Sequence, residues 1–434
     1  MSKSSALYER ARTVLPGGVS RNTVLREPHP LYAERGEGCR VTDIEGVERI
    51  DFANNMASLI HGHAHPAIAE AVAEQLARGT AFTLATEVEI RYAEHLCGRT
   101  EAFEKLRFVN SGTEAVMGAI KAARAFTGRP KIAKVEGAYH GQYDYAEASQ
   151  TSRPETWGSE DRPASVPVAH GTPASALSDV VVLPFNNPER AIKRLDEHKG
   201  EIACVLIDPM PHRVGLKPAD QDYVRALRDW SRQDGALLVF DEVIVFRSRY
   251  GGAQTWYEVR PDLTALGKMI GGGFPVGAIA GRGEVMDVMD PHATPVLFPH
   301  SGTFSANPIT MTAGLKAMEL FDEAAVEHVN TLAKRAMDGI ENAVRETGVE
   351  ACVTGGGSMF RIHFKARPPK NYREAFMTPD ENKKLKIMLD HLFNEGFMMI
   401  NTCSATISTV MSNVEIDAFI GSVRSGFEKV VESA

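Results

Sequence analysis

The chain has 434 residues, 43% of them hydrophobic and 24% charged, which is too long for one simple core, so two or more domains are expected. Its 48 basic and 56 acidic residues give a net charge of −8; this disfavours nucleic acid or an anionic membrane as partner, while small anionic ligands remain open because local sites override net charge. The five cysteines (Cys39, Cys97, Cys204, Cys352 and Cys403) are scattered without CxxC spacing, there is no apolar signal segment in MSKSSALYERARTVLPGG, and no run approaches a membrane span, so a cytoplasmic protein with reduced thiols is expected.

In chain order, residues 1–15 read as a short amphipathic helix that PGG at 16–18 breaks. Residues 30–52 alternate and read as a hairpin around the turn DIEG. HGHAHP at 61–66 holds His61, His63 and His65. Alternate spacing on a turn, with no acidic or thiol partner nearby, disfavours zinc, and no metal is expected. Pro66 opens a helix over 66–78. From about 85 to 280, helical stretches alternate with the apolar runs LRFVN, KIAKVEG, DVVVLPF, IACVLIDP, ALLVFDEV and VGAIAGR. That alternation predicts an α/β domain with a mainly parallel sheet. Residues 149–178, rich in Ser, Pro and Gly, interrupt it; long loops of this kind are functional lids or disordered segments. Beyond 310, helices over 310–322 and 323–347, strands SMFRIHF and ATISTVM, and a last helix over 413–432 predict a smaller α+β domain. The expected division is 1–60 as part of the small domain, 61–307 as the large domain, and 308–434 as the rest of the small one.

Five stretches carry chemistry. In FVNSGTEAVMGAIKAARAFTG a strand runs through Ser111, Gly112 and Thr113 into a helix, presenting free N–H groups, two hydroxyls and a positive dipole end, which together can cradle a phosphate. The same residues with Glu114 also suit a plain helix cap. In KVEGAYHGQYDY, Tyr139 and His140 follow a strand-to-loop turn, where an aromatic ring can stack on a flat cofactor. Asp241 ends ALLVFD and so points at the usual ligand crevice of an α/β sheet, with Val243 one alternate position on and Glu242 left to structure. Lys268 follows PDLTALG, a polar, capped stretch, and precedes three glycines; a desolvated lysine there can act as nucleophile and proton shuttle. A second Ser-Gly-Thr in HSGTFSANP makes Thr303 another candidate phosphate ligand. A lysine that forms an imine and an acid that holds a pyridinium proton are the two protein groups that pyridoxal phosphate (PLP) chemistry needs.

LPGGVSR, GHAHPAI, RFVNSGTEA, KVEGAYHG, GALLVFDEV, PDLTALGKMIGGGFPVGA and HSGTFSANP, in this order, resemble the class-III aminotransferases of PLP fold type I over nearly the whole chain. Within that family the resemblance is to the branch containing glutamate-1-semialdehyde aminomutase and the aromatic β-amino-acid aminotransferases. It implies a mainly parallel seven-stranded sheet flanked by helices, with a smaller domain from both chain ends. It further implies pyridoxal 5'-phosphate as cofactor, Lys268 as the imine-forming lysine, and Asp241 on the pyridine nitrogen. Val243 would lie behind the ring and Tyr139 in front. Ser111, Gly112 and Thr113 would hold the phosphate, and Thr303 would reach it from the other subunit of a homodimer.

Departures from the pattern bear on the substrate. DEVIVFR lacks the glycine of the family's DEVxxGFR and is one residue shorter. INTCSATIST holds no glutamate, which counts against glutamate-1-semialdehyde isomerisation. Thr402 stands where many relatives carry an arginine for the α-carboxylate. Arg213, in MPHRVG, could supply the missing carboxylate fork. Arg21, in PGGVSRNTVLREPHP, matches the β-amino-acid branch's carboxylate arginine, and Arg26 is a weaker candidate. The expected function is transfer of an amino group from an amino acid, a β-amino acid by this resemblance, or an amine to a keto acid by ping-pong kinetics. The alternative is an aminomutase or racemase on the same cofactor.

Overall fold

A computed structural model describes residues 2–433. The N-terminal helix Lys3–Arg12 leads to three short strands, β1 (Ala33–Glu37), β2 (Arg40–Asp43) and β3 (Glu48–Asp51). The expected single hairpin is therefore a three-strand meander, because Gly38, at φ 54°, makes a second tight turn that alternation alone does not reveal.

Strands β4 (Lys105–Val109), β5 (Lys131–Val135), β6 (Val180–Leu183), β7 (Ile202–Ile207), β8 (Leu237–Asp241), β9 (Leu263–Gly267) and β10 (Gly277–Gly281) follow. They form one sheet in the order β4-β10-β9-β8-β7-β5-β6. All pairs are parallel except those of β10, which runs antiparallel to both β4 and β9. VVVL, IACVLI and LLVFD are buried at every position, as strands covered by helices on both faces must be. β9 corrects the sequence reading: LTALG, taken there as polar and capped, is likewise wholly buried. The helix Gly112–Thr127 packs on the sheet through Ala115, Val116, Gly118, Ala119 and Ile120, and a side chain at Gly118 would strike Ile279.

After the helices Pro308–Leu320 and Glu323–Thr347 come β11 (Cys352–Gly356), β12 (Met359–His363), β13 (Phe397–Met398) and β14 (Ser404–Thr406). β11, β12 and β14 form a three-stranded sheet, while β13 pairs in parallel with β3 and so closes the N-terminal sheet. The helix Pro379–Asn394 lies between β12 and β13, and Asn413–Glu432 ends the fold. No helix among the described residues is long and apolar enough to cross a membrane.

Candidate active site

The candidate residues gather where the parallel strands of the large sheet end. β4 runs through Asn110 and Ser111 into the helix Gly112–Thr127. Ser111 Oγ caps that helix by accepting from Glu114 N (3.1 Å), and the Glu114 carboxylate accepts from Asn110 N (2.8 Å). The cap leaves the N–H groups of Gly112 and Thr113 without a partner among the described residues, at the positive end of a 16-residue helix. Space is reserved around them. A Cβ on Gly112 would lie 2.8 Å from Val243 Cγ1, and one on Gly141, at φ +89°, would lie 2.6 Å from Thr113 Oγ1. Cap and cradle thus coexist.

Asp241, 4% exposed, ends β8. One carboxylate oxygen accepts from Val243 N (3.1 Å) and the other from His140 Nδ1 (2.7 Å). His140 is enclosed, its Nε2 has no partner among the described residues, and burial outweighs Asp241 to lower its pKa. It is therefore a neutral ring donating to the carboxylate. Asp241 keeps further acceptor capacity for a protonated pyridine. Glu242 turns away and accepts from Ala253 N (2.6 Å) and Gln254 N (3.0 Å); burial pushes its pKa up to about 8 against those two donors.

Lys268 follows β9 directly and adopts a left-handed φ of 50°, an uncommon conformation for a residue with a side chain, of the kind that clusters at active sites. Burial lowers its amine pKa while Asp241 and Asp208 pull the other way. Asp208 is a residue the sequence reading missed. It follows β7, is 5% exposed, and accepts from Met210 N (2.9 Å). Burial, then the Asp241 charge, raises its pKa well above the usual range. Its signal was in plain view, since IACVLID ends on an acid just as ALLVFD does.

Tyr139 is 40% exposed, and the Arg213 guanidinium lies 5.5 Å over its ring. Arg213 also donates to Gln150 O (3.4 Å). Thr303 is exposed and makes no hydrogen bond to the cradle among the described residues, although Ser305 in the same turn accepts from Asn110 (3.4 Å). Arg21 donates to Asn55 (2.7 Å) and lines a separate cleft of about 1280 Å³ whose walls include Met56, Leu59 and Gly273 but not Ser111, Asp241 or Lys268. Arg26 is already committed, stacked 3.5 Å over Phe393 and paired with Asp390 at 3.0 Å. His61 is held by Ala317 O and Thr409, and His63 by Asp51.

These residues fit a phosphorylated pyridine aldehyde. The open N–H groups and hydroxyls suit a phosphate, Asp241 suits a ring N–H, and the desolvated Lys268 amine suits an aldehyde carbon.

The family model for class-III aminotransferases matches residues 23–430. A glutamate-1-semialdehyde 2,1-aminomutase of Methanothermobacter thermautotrophicus is 40% identical, over 86% of this chain and 86% of its own length. An omega-transaminase from Sphaerobacter thermophilus superimposes with a TM-score of 0.97 at 47% identity, covering 99% of this chain and 98% of its own. A beta-phenylalanine aminotransferase from Variovorax paradoxus does so at 0.85 and 33% identity, covering 97% and 93%.

Proposed function

We propose that this chain, which belongs to the class-III aminotransferases, moves an amino group from a β-amino acid to a keto acid. Its cofactor is pyridoxal 5'-phosphate, which when bound supplies an electron sink for the pair left as a proton leaves the carbon bearing nitrogen. The observation that carries the reading is the meeting, at the ends of neighbouring strands of the large sheet, of a half-buried lysine, a buried carboxylate and an open helix N-terminus.

Each residue then has a task. Lys268 Nζ, whose pKa burial lowers, takes that proton and returns it one position away. Asp241, braced by His140, holds a proton on the pyridine nitrogen. The N–H groups of Gly112 and Thr113, with the hydroxyls of Ser111 and Thr113, bind the phosphate. Val243 packs behind the ring and Tyr139 in front of it. Thr303 and the exposed apolar side chains Phe82, Leu84, Ile90, Leu297 and Phe304 are assigned to a homodimer contact, across which Thr303 serves the other subunit's phosphate. Arg21 and Arg213 are assigned to substrate carboxylates, and likeness to the beta-phenylalanine aminotransferase supports the β-amino donor.

A second reading, an isomerase acting without an external acceptor, is favoured by the 40% identity to an aminomutase. Weighing against it, Asn401–Thr409 offers hydroxyls and no carboxylate. Titrating the holoenzyme with β-phenylalanine, 3-aminobutanoate, alanine, glutamate, 1-phenylethylamine and glutamate-1-semialdehyde, with no keto acid present, separates the two. Loss of the absorbance band of lysine-bound cofactor, with one equivalent of oxo acid released from a β-amino acid, is the expected result. Continued turnover to an isomerised product would instead establish the isomerase.

A further inference from the structure

Four arginines are buried among the described residues, and three of them have either three hydrogen-bond acceptors or a carboxylate partner. Arg99 donates to three backbone carbonyls, those of Tyr250, Met318 and Phe321. Arg228 pairs with Asp262 at 2.8 Å, although its Nε has no acceptor among the described residues. Arg247 donates to Ser358 Oγ, Ala57 O and Ile407 O. Arg361, 4% exposed on β12, is different. Its Nη1 makes one long bond to His212 O (3.3 Å), its Nε is enclosed without an acceptor, and no carboxylate pairs with it among the described residues. A buried guanidinium left so is costly unless an anion arrives to take up its donors.

The surroundings point to where that anion comes from. Arg361 is opposite Ser404 across the β12–β14 ladder. Ser404 Oγ bonds Thr402 Oγ1 (2.9 Å), which in turn bonds His212 Nε2 (3.1 Å). Burial and then the charges of Arg361, Arg213 and Lys268 together push the pKa of His212 down to about 3. His212 is the chain neighbour of Arg213, whose guanidinium lies 5.5 Å over the Tyr139 ring, so this corner adjoins the site described above.

We infer that Arg361 receives the carboxylate of the keto-acid acceptor, reaching from β12 the place that Thr402 leaves without a cation. The carboxylate would take the free Nε and outer nitrogen of the planar fork, beside the hydroxyls of Thr402 and Ser404. Arg361 is thus a specificity-determining residue of the site described above.

The inference rests on the aminotransferase reading, and the test keeps the two apart. Holoenzyme carrying Arg361→Gln is compared with wild type using pyruvate, using propanal, which has no carboxylate, and by competition with propanoate, which has no carbonyl. Losing a charge-assisted pair of hydrogen bonds should raise KM for pyruvate and Ki for propanoate on the order of tenfold to a hundredfold. It should leave kcat, and kcat/KM for propanal, within about threefold. Arg361→Lys, which keeps the charge and loses the fork, should show a smaller loss of the same selectivity, and it decides the matter if the glutamine variant does not fold. Equal losses for pyruvate and propanal, or no loss for pyruvate, overturn the inference. A wild type that transfers no amino group from any donor defeats the parent reading instead.

Discussion

At the scale of single residues, the site is built from positions where ordinary rules are broken. Lys268 takes a left-handed φ, and so do four consecutive non-glycine residues, Asn54 to Ala57, at φ 45–70°. Each such residue costs on the order of 1 kcal/mol or more and persists only where its surroundings hold it. For Asn54 the hold is visible, since its amide donates to Thr406 O (2.7 Å) and Oγ1 (3.1 Å). The turn that follows sets Asn55 against Arg21. For Lys268 the hold is the buried end of β9 and the glycines that follow. Removing the amine should leave that backbone intact. Lys268→Ala is expected to keep its far-ultraviolet circular dichroism, lose the visible absorbance of lysine-bound cofactor, and fall at least ~10²-fold in turnover. Substantial residual transamination would remove Lys268 from its assigned role.

At the scale of elements, the stretch 149–178 is anchored by a residue far along the chain. Arg373 donates to the Glu136 carboxylate (3.0 Å) and to the carbonyls of Trp157 (2.9 Å), Gly158 (3.0 Å) and Ser159 (2.9 Å), while stacking 4.9 Å over Trp157. Arg373→Ala leaves a buried carboxylate alone and frees three carbonyls, so a loss of about 3 kcal/mol is expected. Limited digestion with a glutamyl endopeptidase should then cut faster at Glu155 and Glu160, and unchanged digestion would mean the loop is held by other contacts. This anchor also explains what the sequence could and could not disclose. Composition marks 149–178 as irregular, but its order depends on a guanidinium more than 200 residues away, which no local pattern carries. β9 was hidden for a related reason. Thr264 and Gly267 spoil its apolar run, and its burial comes from neighbours β8 and β10. Asp241, Lys268 and the Ser111–Thr113 turn were legible because each depends on local chemistry: an acid closing an apolar strand, a lysine before glycines, a cap before a helix. The His140–Asp241 bond joins two such signals and needed the fold to become visible.

At the scale of the molecule, two enclosed histidines tie the smaller sheet and its flanks to the rest. His61 bonds Ala317 O and Thr409 Oγ1, and His363 bonds Thr354 Oγ1 and Gly215 O. Burial pushes their pKa values down to about 4 and about 3 from 6.5. Both are neutral when folded and take up a proton near pH 6.5 once unfolded. The unfolded state therefore binds more protons below pH 6.5, and stability falls as pH drops from 6.5 toward 4, by about 1.4 kcal/mol per unit for each histidine. Thermal melts should show no contribution from these groups above pH 6.5 and a declining midpoint below it. His363→Asn should flatten that decline, and an unchanged slope would assign the acid sensitivity elsewhere. The parallel pairing of β3 with β13 has a consequence in time as well as in space. A ribosome delivers β1, β2 and β3 well before Phe397, the partner of Ile50, emerges. Through most of synthesis the nascent chain carries an unfinished sheet with an open edge, the sort of surface that chaperones shield and that recruits stray strands. The arm bearing Arg21 is thus made long before the strand that completes its sheet.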